Sequence, residues 1–148
     1  MSDTVFSFEK AEESPGYLLW QVTTLWQREI KKRLDELDIT HSQYVLLASL
    51  LWLSGQEGHV TQIDLASHSK IDPMTTSTVL RTLEKKGWVQ RAEHPTDTRA
   101  KTVVLTPEGT DIVRRAIPVV EQTDREFFSA TDVAELNRHL RKLAGSRR

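Results

Sequence analysis

The chain has 148 residues, with 20 Lys and Arg against 21 Asp and Glu, a formal net charge of -1 and no cysteine. That length fits one domain with a real core, and the missing thiol excludes a disulfide frame, a Cys nucleophile, a Cys-based zinc site and thiol redox sensing. Near-neutral charge offers no bulk attraction to nucleic acid, so basic groups serving that purpose must be gathered locally.

The opening MSDTVFSFEKAEESPG is acidic where a signal peptide is basic and then apolar. The longest apolar stretch, Val45 to Leu53, is interrupted by Ser49 and too short to span a bilayer. A cytoplasmic location with no membrane partner is the expectation. Residues 1–14 show no period and read as a flexible arm, ended by Pro15 and Gly16. Over 17–38, Leu18, Leu19, Val22, Leu25, Trp26, Ile30, Leu34 and Leu37 recur at three- and four-residue steps, which predicts one long amphipathic helix. Its stripe suits an intramolecular core or a partner helix.

A second helix is predicted from Thr40, whose spacing to Gln43 is that of a capping box, to the stop at Ser54-Gly55. It is apolar nearly all round and so should be central. A short third helix follows with Thr61 as cap and Asp64 three residues on, turning Ile63, Leu65 and Ala66 inward. The fourth has the sharpest start, Asp72 then Pro73, and stops at Gly87. At 100° per residue Val79, Leu80 and Leu83 share one side with Thr76. Met74, Thr78, Arg81 and Lys85 point away, flanked by Thr75, Ser77 and Thr82. Four Thr and one Ser within 75–82 work against helix propensity, which gives that outward face no local reason to exist.

After Gly87 the period becomes alternating: 88–91 and 102–105 read as two strands of a hairpin with a long polar tip. Thr106-Pro107 starts a fifth helix carrying Ile112, Val113, Ala116, Ile117, Val120 and Phe127, which Pro118 should kink or divide. A last helix from about Asp132 spaces Val133, Leu136, Leu140 and Leu143 helically and ends in the cationic tail 145–148.

Helix, short helix, capped Thr-rich helix and hairpin occur in the order of a winged helix-turn-helix, in which the second helix of the pair enters the major groove and the hairpin reaches a minor groove. Charge is distributed accordingly: 5 basic against 9 acidic residues in 1–60, 7 against 5 in 61–105, and 8 against 7 in 106–148. The run Leu83-Glu84-Lys85-Lys86-Gly87-Trp88-Val89, then Asp97-Thr98-Arg99, then Leu105-Thr106-Pro107-Glu108-Gly109, resembles the signature of MarR-family transcriptional regulators. The helix pattern on both sides extends that resemblance over nearly the whole chain.

The resemblance implies a mainly α fold with a small β-hairpin wing, forming a single domain over 1–148. Residues 15–38 and 107–148 would supply dimerisation helices and 40–105 the winged helix lobe. It implies a homodimer on double-stranded palindromic DNA, released by a small aromatic or amphipathic effector, without enzymatic activity and without a cofactor. Carried over by position, Thr75, Ser77, Thr78 and Arg81 face the groove, with Arg81 on phosphate. Thr61 and Gln62 donate to phosphate at a helix start. Asp97 orients Arg99 into the minor groove, and Lys101 adds a phosphate contact. Many relatives have a second basic residue where this chain has Thr98, and often Arg where it has Thr78. Trp20, Trp26, Tyr44 and Trp52 lie in the segments from which such regulators build their effector pocket.

His41, His59, His68, His94 and His139 never occur three or four residues apart, so metal-ligand spacing is absent and no metal site is expected. No Gly-rich phosphate loop, nucleophile elbow or HExxH motif occurs. The alternative of another class is a winged-helix module that binds protein without reading DNA sequence; the Thr-rich outward face and the basic wing weigh against it.

Overall fold

The computed structural model describes residues 5–56 and 58–145. Residues 1–4 of the expected arm and 146–148 of the cationic tail lie outside them. The arm carries a 3-10 turn, Ala11–Glu13, that leads straight into helix α1, Pro15–Leu34. Pro15 occupies the first helical position and the Ser14 hydroxyl accepts the Tyr17 N–H at 3.3 Å. The long helix expected over 17–38 ends at Leu34; the chain tightens into a second 3-10 turn, Asp35–Leu37, and Asp38 turns left-handed at φ 56°.

Reciprocal capping then starts both helices of the next pair. Thr40 Oγ1 accepts the Gln43 N–H and Gln43 Oε1 accepts the Thr40 N–H, both at 3.1 Å, opening α2, His41–Ser54. Thr61 and Asp64 repeat the arrangement at 3.1 and 2.9 Å for α3, Gln62–Ser69. Helix α4, Pro73–Lys85, begins on Asp72, whose carboxylate accepts the Thr75 N–H at 2.8 Å. Gly87, at φ 80°, makes the left-handed exit that a side chain would strain.

Strands β1, Val89–Glu93, and β2, Lys101–Leu105, pair antiparallel from Val89 opposite Leu105 to Glu93 opposite Lys101. The Val103 N–H donates to the Val60 carbonyl at 2.9 Å, which docks the hairpin on the segment before α3. Helix α5, Pro107–Phe127, starts on Thr106, and α6, Val133–Gly145, follows a short turn. The Thr106 N–H donates to the Trp88 carbonyl at 3.1 Å. Gly109 lies so close that a Cβ there would meet the Trp88 carbonyl oxygen and come within 2.8 Å of its carbon.

The core lies where α1, α2 and α5 meet α3, α4 and the hairpin: Ile30, Leu34, Leu46, Leu47, Leu50, Leu65, Leu80, Leu83, Val89, Val103 and Val113 are fully buried. Each such Leu contributes about 2 kcal/mol of transfer free energy. Two further expectations change. Ile63 is 72% exposed, because at about 100° per residue it stands more than a quarter turn from the direction shared by Leu65 and Ala66. Pro118 does not divide α5; it and Arg114, four residues back, are both exposed, where water can satisfy the carbonyl that Pro118 leaves unbonded. The apolar stripe of α6 is formed as expected but none of its residues is buried.

Candidate nucleic-acid interface

Packing fixes which way α4 faces. Thr76, Leu80 and Leu83 are fully buried and Val79 half-buried, so Met74, Thr75, Thr78, Arg81, Thr82 and Lys85 are turned outward, with Met74 80% exposed. Ser77 stands at the edge, half-buried. One of the five hydroxyl residues is thereby explained structurally, since Thr76 Oγ1 donates to the Ile71 carbonyl at 3.4 Å and ties α4 to the turn before it. None of the others is buried, and Thr75 also bonds the Asp72 cap through its hydroxyl. Thr78 Oγ1 donates to the Met74 carbonyl at 3.1 Å and accepts from Arg81 Nη2 at 3.2 Å, while Thr82 Oγ1 donates to the Thr78 carbonyl. Such hydroxyls rest on their own helix and can rotate toward a partner, since this internal bonding favours the helix little.

The start of α3 is half-buried beside α4. Thr61 spends its hydroxyl on the cap, and Gln62 Oε1 accepts Arg91 Nη1 at 3.2 Å, which leaves the amide nitrogen as the Gln62 donor. Arg91 also donates from Nη2 to Glu84 Oε1 at 3.2 Å and from its backbone N–H to Glu84 Oε2 at 3.3 Å. This one guanidinium joins the wing root, the first turn of α3 and the last turn of α4. Sequence reasoning missed it, because nothing local distinguishes Arg91 from any strand cation; the signal is only its place opposite Glu84 across Gly87.

The tip of the wing is a closed hydrogen-bonded turn. The His94 N–H donates to the Ala100 carbonyl at 3.1 Å and the Ala100 N–H to the Asp97 carbonyl at 3.0 Å. Asp97 Oδ1 accepts the Arg99 N–H at 3.1 Å and Arg99 Nε at 3.4 Å, with the Arg99 side chain 92% exposed. Lys101 is exposed at the end of the ladder opposite Glu93. In water this exposed pair is worth little; its effect is to point a guanidinium away from the body of the protein.

The aromatic residues divide. Trp26 Nε1 donates to Asp124 Oδ1 at 2.8 Å, bridging α1 and α5, and the His41 ring stands edge-on to it at 5.0 Å. Burial lowers the His41 pKa, opposed by the Asp124 charge. Burial, with the Glu121 and Asp124 charges, pushes the Tyr44 hydroxyl up to about 12, so it stays a donor. Beside Trp26 an apolar groove of about 600 Å³ runs between α1 and α6, lined by Leu18, Val22, Phe127, Phe128, Leu136 and Leu140 among others. Trp20 and Trp52 belong to neither feature: they are 71% and 69% exposed, on sides of α1 and α2 turned from the core. Among the described residues no three His, Asp or Glu are grouped to hold a metal ion, and no helix is long and apolar enough to cross a membrane.

The profile of the MarR family matches residues 39–101, from the start of α2 to the start of β2. The HTH-type transcriptional regulator YdcH of Bacillus subtilis is 46% identical over 123 residues, 83% of this chain and 84% of that protein. An HTH-type transcriptional repressor of Mycobacterium tuberculosis is 31% identical over 137 residues, 90% of this chain and 96% of that one. Among solved structures, an Escherichia coli MarR variant complexed with operator DNA superposes with a TM-score of 0.79 at 28% identity, over 93% of this chain and 99% of that chain. The outward face of α4 and the basic wing tip thus belong to a protein of known kind: the chain is a transcriptional regulator of the MarR family.

Proposed function

We propose that the protein acts as a homodimeric repressor on a palindromic operator and that a small aromatic or amphipathic effector weakens its hold. The observation that carries this is α4, which buries Thr76, Leu80 and Leu83 completely and spends its other face on Thr75, Thr78 and Arg81. With Ser77 at its edge, that face reads base edges and phosphates in the major groove, while Arg99 enters the minor groove and Thr61, Gln62 and Lys101 hold phosphates. Asp97 keeps Arg99 aimed. Residues 40–105 form the DNA-binding lobe, and 15–38 with 107–148 the dimerisation helices, whose exposed Leu18, Leu19, Val22 and Leu140 need a second copy to cover them. The mycobacterial relative's name as a repressor and the operator-bound E. coli structure support the same direction.

The effector reading rests on the Trp26, His41, Tyr44 and Asp124 cluster, which joins the dimerisation helices to the DNA-binding lobe. An aromatic ring carrying a hydrogen-bond donor suits it, because its formal charges, Asp124 and Glu121, are both negative. Selection of bound duplexes from random DNA tests the whole: two half-sites about one helical turn, roughly 10 bp, apart are expected. A purified protein that shows no sequence preference at low salt is then a protein-interaction module instead. Quenching of Trp26 fluorescence by phenols, lost in Trp26→Phe, tests the effector.

A further inference from the structure

The tip of the wing is organised by one imidazole nitrogen. His94 Nδ1 accepts the Thr96 N–H at 3.2 Å and the Asp97 N–H at 3.1 Å, and lies 3.3 Å from the Thr96 hydroxyl. Two backbone N–H donors therefore converge on an atom that accepts only while it carries no proton, which assigns the ring as neutral with its hydrogen on Nε2. The two N–H groups it holds belong to the residues that set the position of Asp97, whose carboxylate in turn holds Arg99. Around the ring stand His59, edge-on at 5.3 Å from the segment joining α2 to α3, with Asp97 and Arg99 in the tip and the Glu93 and Lys101 pair at the end of the ladder.

We infer that His94 is the positioning residue of the wing: its neutral ring fixes the turn that aims Arg99, so protonation of that ring loosens the tip and weakens binding to DNA. This rests on the proposal that the wing meets DNA. Imidazole is the side chain whose charge ordinarily changes between pH 5 and 8. A proton on Nδ1 would set a third N–H, on a cation, against two backbone N–H groups. Charge alone predicts the opposite sign, since a new cation near phosphates strengthens binding. Asn at the same position accepts backbone N–H groups two and three residues on at any pH, which separates the hold on the turn from the titration.

The test uses the full-length wild type, His94→Asn and His94→Ala, with a duplex selected by the wild type from random DNA at pH 8, at constant ionic strength. Wild-type affinity should fall about tenfold from pH 8 to pH 5.5, the size expected from losing hydrogen bonds of this kind. His94→Asn should match the wild type within about threefold at pH 8 and lose most of that fall, and His94→Ala should already be about tenfold weaker at pH 8. In the free protein the Thr96 and Asp97 amide resonances should follow the titration of the His94 ring. Amides that ignore the ring, a His94→Asn profile as steep as the wild type's, or full affinity in His94→Ala would each overturn the inference. If the amides follow the ring but no duplex is ever selected, the wing does not meet DNA, and the inference falls together with the proposed function.

Discussion

Helices α4 and α6 are both thirteen residues long and both amphipathic, yet the fold treats them in opposite ways. α4 buries Leu80 and Leu83 completely and Val79 in part, and leaves a face of hydroxyls and cations in water; α6 has no fully buried residue and leaves most of an apolar stripe there. Each is incomplete within one chain, and the chemistry of the uncovered face says what completes it. Hydroxyls and guanidinium suit base edges and phosphates, whereas Leu136, Leu140 and Leu143 suit another apolar surface.

The largest effect should come from spoiling the apolar side. Leu140→Asp places a carboxylate in the groove between α1 and α6, and an unpaired charge buried at an interface costs several kcal/mol; dimerisation should weaken at least about 100-fold by sedimentation, with operator binding lost alongside. A wild type that sediments as a monomer at micromolar concentration would end the comparison. On α4, Leu80→Ala should destabilise the fold by about 3 kcal/mol in urea titration, whereas Thr78→Ala on the opposite face should leave stability within about 0.5 kcal/mol. Arg99→Ala should lower the slope of log affinity against log salt by about 0.9, and an unchanged slope would place the wing away from phosphate. Thr78→Ala should change preference among operators by about 1 kcal/mol; uniform weakening would make it a backbone contact.

The smallest effect is a titration at the junction of α1, α2 and α5. Burial holds the His41 pKa below its ordinary value, so the unfolded chain takes up this proton at a higher pH than the folded one. Its contribution to stability is complete above the ordinary imidazole range and is lost as pH falls toward the depressed value. The urea midpoint of the wild type should drop from pH 8 to pH 5.5 more than that of His41→Gln; equal drops would show that His41 protonates without cost.

Local chemistry was legible in the sequence and distant partnership was not. Thr40 with Gln43, Thr61 with Asp64, Asp72 with Pro73, and Thr106 with Pro107 all start helices where their spacing predicts, because a cap and its target lie three residues apart. The faces of α4 follow from period alone. The Trp26 bond to Asp124 spans 98 residues and no pattern announces it. Trp20 and Trp52 look identical to Trp26 in composition, and only the packing of α1 and α2 turns them outward. Ile63 is apolar yet faces water, and its place more than a quarter turn from the direction shared by Leu65 and Ala66 implies as much, so its residue type alone misleads. In the wing, Asp97 and Arg99 are visible as a motif, but the geometry that aims them depends on His94, which reads as an ordinary loop residue.

Gly109 gives the molecule a mechanical property. A side chain there would collide with the Trp88 carbonyl, while Thr106 is bonded by its N–H to Trp88 and by its hydroxyl to Gly87 at 2.6 Å. The end of α4, the root of the wing and the first turn of α5 are therefore welded at one seam with no slack. A side chain at Gly109 would force this joint apart, so Gly109→Ala should displace the first turn of α5 from the root of the wing.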